Sequence, residues 1–485
     1  MISRYPQITN SKTSFFYLVL LFFVASCKEG EPLPNSAPET KLSIESINLS
    51  GENRLNSTVK LSWFGTDIDG YVQCYEIRIG DKDWVKTQTQ DSIFLFDIEP
   101  NQDSTDVDFY VRAVDNEGYE DPTPAYLKIP LKNSTPEVTF DEASLPLDTT
   151  NLVITFRYMA SDPDGDETLK KGFIRANEGE WAEIDLNQKL VSLLPTSPTE
   201  VGIGQANVYY GIENESALTI DGFNNGGDNI IQLRVEDIAN TSSSIDSTAS
   251  IFVRSQTSDL LVIGGHNVQI DKKYQELVNN NYPSADFVNY ALNGGLNQPK
   301  FWNPNFRLLS EQYDKVFFHT DEGNFSNPLT GEDGKLLDFA APIIQELIDN
   351  KKKVLVSTAF ATGTNIDIIG GVLSIDSFTG SRGQAFFVND SFAKSTIDGF
   401  PDLQPTNFLL AVDPFYHSQE SEVLYTAQLT PNGGWYGPRT IAIQRKSTDG
   451  NVNLVLFTVE LHKLDKLASN QNQLISKIFN ETFNW

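Results

Sequence analysis

Trp63-Phe64-Gly65-Thr66-Asp67-Ile68-Asp69-Gly70 recurs, in register, as Tyr158-Met159-Ala160-Ser161-Asp162-Pro163-Asp164-Gly165. Each copy opens on an aromatic and closes on an Asp/Gly turn, the pattern of a β-strand running into a tight loop. A second pair, Val111-Arg112-Ala113-Val114-Asp115 and Leu233-Arg234-Val235-Glu236-Asp237, matches in the same way. Around the first copy lie further alternating runs: Val59 to Trp63, Tyr75 to Ile79, Ile93 to Phe96. Regular short strands parted by turn residues indicate β-sandwiches. Two copies make a tandem, too few for a solenoid.

Past Thr257 the texture changes. Asp259-Leu260-Leu261-Val262-Ile263-Gly264-Gly265 is a continuous apolar run, the signature of a strand buried on both faces. Strand-like segments at Ala285–Tyr290, Tyr313–His319, Lys353–Ser357 and Asn453–Val459 alternate with helical spacing at Lys272–Asn279, Leu336–Ile348 and Leu464–Phe479. That alternation predicts a doubly wound α/β domain. The expected fold class is therefore multidomain, two all-β sandwiches followed by a doubly wound α/β domain.

The Trp63 strand and Val111–Gly118 resemble strands B and F of fibronectin type III domains. The usual strand-F Tyr is replaced by Val107 or Phe109. The order of elements after Ser258 resembles the class I glutamine amidotransferase-like fold, whose catalytic members carry a Cys on the turn after a central strand. Here that turn reads Ser357-Thr358-Ala359-Phe360, with no Cys, so the resemblance implies a fold and no amidotransferase activity.

The amino-terminal end has its own signature. Phe15–Val24 with Ala25 is an apolar run preceded by Arg4 and Lys12, with no acidic residue before Cys27. It is shorter than the roughly 20 residues a spanning helix needs and reads as an export signal. Val24-Ala25-Ser26-Cys27 resembles the lipobox of bacterial lipoproteins. The resemblance implies cleavage before Cys27 and acyl chains on that residue, and two or more chains anchor stably. An ordinary signal with an incidental Cys is the competing reading. Lys28-Glu29-Gly30-Glu31 resembles the export signal of surface lipoproteins in Bacteroidetes. The expected organisation is a signal peptide (1–26), a lipidated tether (27–38), a fibronectin type III-like sandwich (39–132), a second Ig/fibronectin-like sandwich (133–256) and the α/β domain (257–485). The expected location is the outer membrane, facing periplasm or cell surface.

Charge and cysteine content narrow the functions. The net charge of −29 falls to −31 once residues 1–26 are removed, which argues against nucleic-acid partners. Cys27 and Cys74 are the two cysteines. With Cys27 acylated no internal disulfide forms, and neither thiol catalysis nor a Cys-rich metal site is available.

Three constellations remain. In a sandwich of this type the B–C and F–G loops share one end. Asp162, Asp164 and Asp166 would meet Glu236 and Asp237 there, and Asp67 and Asp69 would meet Asp115. Clustered oxygens of this kind suit calcium, the one cofactor the sequence suggests, whereas turn chemistry explains the same residues without an ion. The second group is His266, His319 and His462, each at or just after a buried strand, with Asp321, Glu322 and Glu460 nearby. Ligand sites in open α/β sheets lie beyond the strands' carboxyl ends, so these residues are candidates for a metal or an acid–base pair, with Ser357 the candidate nucleophile. Aromatics at Phe301–Pro304, Phe415–His417 and Gly433–Pro438 are candidates for stacking on sugars or protein partners. The leading functional expectation is a non-catalytic, membrane-anchored protein that presents its α/β domain to a glycan, polymer or protein partner. A surface hydrolase and a purely structural envelope component are the alternatives.

Overall fold

The computed structural model describes residues 34–44, 49–50, 54–55, 58–96, 98, 102, 104–212, 215–291, 302–321, 323–327, 330–360, 364, 366–378 and 384–483. Cys27 with its expected lipid, the signal run and Glu322 lie outside the described residues. Among the described residues no helix is long and apolar enough to cross a membrane. The chain divides into two compact units, one of residues up to Ser134 with Pro163–Gly165, the other Thr135–Asp162 with Asp166 onward.

The first unit is a sandwich. Thr58–Thr66 lies between Glu39–Ile44 and Asp91–Leu95 in one sheet, and the other sheet is built around Ala125–Lys132, Ser104–Asp115, Val72–Ile79 and Val85–Thr87. Alternation decides the core: Val59, Leu61 and Trp63 point in while Lys60 and Ser62 are half-exposed. Trp63 meets Tyr75 and Phe109 of the facing sheet at ring separations of 6.4 Å.

The second unit begins with another sandwich. Glu137–Phe140, Ile154–Ser161 and Leu190–Pro195 form one sheet, which Gly202–Tyr210 and Leu218–Asn225 extend. Leu169–Ala176 pairs with Ile231–Asp237 across the core, Ile174 opposite Leu233. The main sheet of the last domain has eight strands, β1 (Leu260–Gly265), β2 (Asp286–Asn289), β3 (Lys315–Thr320), β4 (Lys353–Ser357), β5 (Ala393–Ser395), β6 (Ser421–Ala427), β7 (Thr440–Lys446) and β8 (Val452–Phe457). Their order in the sheet is β2-β1-β3-β4-β8-β7-β6-β5. The first five are mutually parallel, and β7, β6 and β5 extend the sheet antiparallel.

The apolar runs need two buried faces, and the helices supply them. Leu261, Ile263, Val316, Phe318, Val354 and Val356 face the core under α2 (Asn305–Ser310), α3 (Leu336–Asp349) and α4 (Ile366–Leu373). Leu260, Val262, Phe317 and Leu355 face the opposite core, under α1 (Val268–Asn279) and α5 (Ala468–Lys477). Leu152, Val153 and Leu194 of the sandwich belong to the first of these cores, so the two domains share buried apolar surface. The antiparallel extension is a feature that strand–helix alternation does not announce. Because α1 and α2 lie on opposite faces, strand order reverses between β1 and β3, and a crevice opens at their carboxyl ends.

Candidate functional site

His266 follows β1 directly and precedes Asn267, whose side chain caps α1 by accepting the Gln269 and Ile270 N–H groups. Asp271 and Tyr274, three residues apart on α1, are both buried and turn toward the same crevice. His319 is the penultimate residue of β3 and Ser357 the last of β4. Glu460 and His462 follow β8, around the short turn Leu461–Lys463. Five segments thus deliver polar side chains to one point.

The geometry is specific. His266 Nε2 lies 3.0 Å from Glu460 Oε1, and His266 Nδ1 lies 2.9 Å from His319 Nδ1. His319 Nε2 stands 3.5 Å from Asp271 Oδ1 and has no hydrogen-bond partner. Tyr274 stacks on His319 at 3.9 Å with 13° between the rings. Its hydroxyl is 3.0 Å from Ser357 Oγ, and it accepts the His462 N–H at 3.4 Å. Close approach is bought by glycine: a Cβ on Gly264 would collide with Asp271 Oδ1 and stand 2.8 Å from Asn289 Nδ2 and 3.1 Å from His319 Cε1.

Protonation states follow from the partners. The Lys463 ammonium pairs with Glu460, so this carboxylate accepts from His266 Nε2–H. His266 Nδ1 is then an acceptor, and His319 donates to it through Nδ1–H. His319 Nε2 is left as a bare lone pair. Burial, with Lys463 adding to it, pulls His266 down to about 4 against Asp321 and Asp271. Burial and then the neighbouring His266 pull His462 down to about 3, and the same causes hold His319 well below its ordinary value. Burial raises the Asp271 carboxyl. At neutral pH the three imidazoles are uncharged.

Not every candidate joins this group. Ser357 is fully buried, and its Oγ accepts the Leu461 N–H at 2.9 Å and bonds to Tyr274. Neither partner is a base. Asp321 binds the Gly323 N–H and lines a neighbouring groove with Gly265, Asn267 and Thr320. Tyr274, Asp271, Asn289 and Lys463 were not singled out by sequence pattern. The i, i+3 spacing of Asp271 and Tyr274 beside buried Leu277 and Val278 is the signal that would have found the first two.

The aspartate loops are engaged by N–H groups, some within the same turn and some 30 or more residues away, and Asp67 Oδ2 is buried with no hydrogen-bond partner. Asp115 accepts the Glu117 and Tyr119 N–H groups while its own N–H binds Tyr119 O. Asp237 does the same with Thr241, at 2.8 and 3.1 Å. Asp67 accepts the Asp69 N–H, Asp69 accepts that of Ser36, Asp166 accepts that of Asp162, and Asp164 accepts from Ser134 at 2.7 Å. Among the described residues, the group with metal-ligand spacing is His266, Glu460 and His462, whose ligand atoms all lie within 4.8 Å of one another. Of the loop aromatics, Trp302, Phe415 and Trp435 are buried and Tyr436 is fully exposed.

Comparisons with known proteins bear on the amino-terminal half. No protein-family model matches the chain, and no curated protein matches it. Among solved structures, the fibronectin(III)-like modules of Clostridium thermocellum CbhA align with 16% identity over 44% of this chain and 94% of theirs, TM-score 0.17. A two-domain fibronectin type III segment of chicken tenascin aligns with 12% identity over 45% and 99%, TM-score 0.19. Bacteroides ovatus SGBP-B, in complex with a mixed-linkage heptasaccharide, aligns with 8% identity over 48% and 51%, TM-score 0.16. The class is defined by the chain's own strand order: tandem fibronectin type III-like β-sandwich modules, then a mixed parallel and antiparallel α/β sheet with helices on both faces.

Proposed function

We propose that this is a lipid-anchored outer-membrane protein. Its sandwiches act as spacers, and its α/β domain, of degenerate amidotransferase-like type, binds a glycan, polymer or protein partner without serine-based chemistry. The observation that carries the non-catalytic reading is the enclosure of Ser357. A nucleophile must reach substrate and have a base beside it, whereas this hydroxyl is buried and committed to Leu461 and Tyr274. The lipobox-like Val24–Cys27 supports the anchor. The convergence of His266, Glu460 and His462 favours the second reading, a hydrolase working through a His/carboxylate group.

Two measurements test the proposal. Radiolabelled palmitate is expected to label the wild type and to leave Cys27→Ala unlabelled, and equal labelling of both ends the anchored reading. Glycan arrays and partner screens of the full chain are expected to return a ligand that Ser357→Ala still binds. An ester, amide or glycoside hydrolysis that Ser357→Ala abolishes would overturn the non-catalytic reading.

A further inference from the structure

We infer that His266 Nε2, Glu460 and His462 form a binding site for a divalent transition-metal ion of the zinc class, with Lys463 holding the carboxylate while no ion is bound. Three observations converge on it. The first is the donor set. Two imidazoles and a carboxylate without sulfur suit zinc and its neighbours, and their ligand atoms, within 4.8 Å of one another, need draw in by only about 1 Å to sit at ligand distances of about 2.0–2.2 Å from one ion. The 3.0 Å between His266 Nε2 and Glu460 Oε1 is already close to the spacing of adjacent ligands on one ion, roughly 3–3.5 Å for those bond lengths.

The second observation is independent of the first. His319 is completely buried, yet its Nε2 has no hydrogen-bond partner and faces Asp271 across 3.5 Å. An orphaned buried polar atom loses its water without replacement and calls for a cause. A cation on His266 Nε2 removes it. With that nitrogen occupied, His266 carries its proton on Nδ1 and donates to His319 Nδ1. His319 then carries its proton on Nε2 and donates to Asp271 once the 3.5 Å gap between them closes. Each ring keeps one proton, and every nitrogen of the pair has a partner. The result is a metal–His–His–carboxylate chain, one ring longer than the outer-shell carboxylate that commonly orients a metal-binding histidine.

The third observation is access. His462 is half-buried and lines an open groove of about 280 Å³ with Lys273, Tyr274 and Asp465, so the group is approached from solvent on its His462 side. Three protein ligands leave a further coordination position. The inference stands whatever the domain binds and whether or not Cys27 is acylated.

The test uses full-length protein without a histidine tag, stripped with chelator and titrated with zinc sulfate by calorimetry, with metal content counted by mass spectrometry. One zinc per chain is expected. His462→Ala and Glu460→Gln should each weaken binding at least about 100-fold, and Asp271→Asn about 10–100-fold. In ¹⁵N-histidine spectra, zinc should move the His319 proton from Nδ1 to Nε2. Absence of stoichiometric zinc in the wild type would overturn the site, as would a folded His462→Ala protein that binds zinc as tightly. If Glu460→Gln fails to fold, the half-exposed His462 variant decides alone.

Discussion

Two polar clusters at strand ends make an instructive pair. Asp237, at the end of its sandwich strand, closes on a near neighbour: its carboxylate accepts the Thr241 N–H, and its own N–H donates to Thr241 O. His266 is satisfied by His319, 53 residues away, and by Glu460, 194 residues away. The first contact needs only a turn. The second needs the whole sheet in place, and one of its nitrogens still lacks a partner. Local polar groups at loops tend to close their own backbone, whereas a buried group assembled from distant segments stakes folding energy on an arrangement that chemistry can use.

The sharpest way to break the contrast is Glu460→Ala. It leaves His266 Nε2–H buried without its acceptor and removes a carboxylate paired with Lys463, so a loss of about 3 kcal/mol or more is expected in denaturant unfolding. Acid should act through the same cluster. In chelator-treated protein, folded His266 titrates near 4 and His462 near 3, both below the ordinary 6.5. The unfolded chain therefore takes up these protons first. The contribution is fully present above about pH 6.5 and is lost as pH falls toward 4 and then 3, to the extent of ~3 kcal/mol from His266. A stability profile flat between pH 6.5 and 4 would contradict this.

Gly264→Ala probes the packing beneath. Its methyl must displace Asp271, Asn289 or His319, at a cost of about 1–3 kcal/mol, read as a lower denaturation midpoint. The smallest effect belongs to the turn. Asp237→Ala should cost about 1 kcal/mol through the lost Thr241 contact, and Asp237→Asn, which keeps an acceptor, should recover most of it. Calcium should leave the melting temperature of both unchanged, and a calcium-dependent rise seen only with Asp237 intact would restore the ion-binding reading of these loops.

Much of the fold was legible because its causes are local. Alternation around Trp63 and Tyr158 needs one buried face, and the run Leu260–Ile263 needs two. The extension by β6 and β7 was harder to see. Thr440–Lys446 is buried through Arg445, so neither strict alternation nor a purely apolar run marks it. Among the site residues, the histidines stood out by their place at strand ends. Tyr274 and Asp271 did not, since a helix of mixed polarity conceals which of its faces meets a partner.

The sequence by itself determined the kinds of domain and their order, the absence of cysteine chemistry in the α/β domain, and the placing of three histidines at strand ends. These follow from periodicity and residue inventory, which need no knowledge of neighbours. Only the tertiary structure decided that Ser357 is sealed, that Leu152, Val153 and Leu194 share a core with the sheet, and that Glu460, His266, His319 and Asp271 stand in one line. Those facts depend on pairings that join segments up to 194 residues apart, where strand order in space, and not spacing along the chain, sets who meets whom.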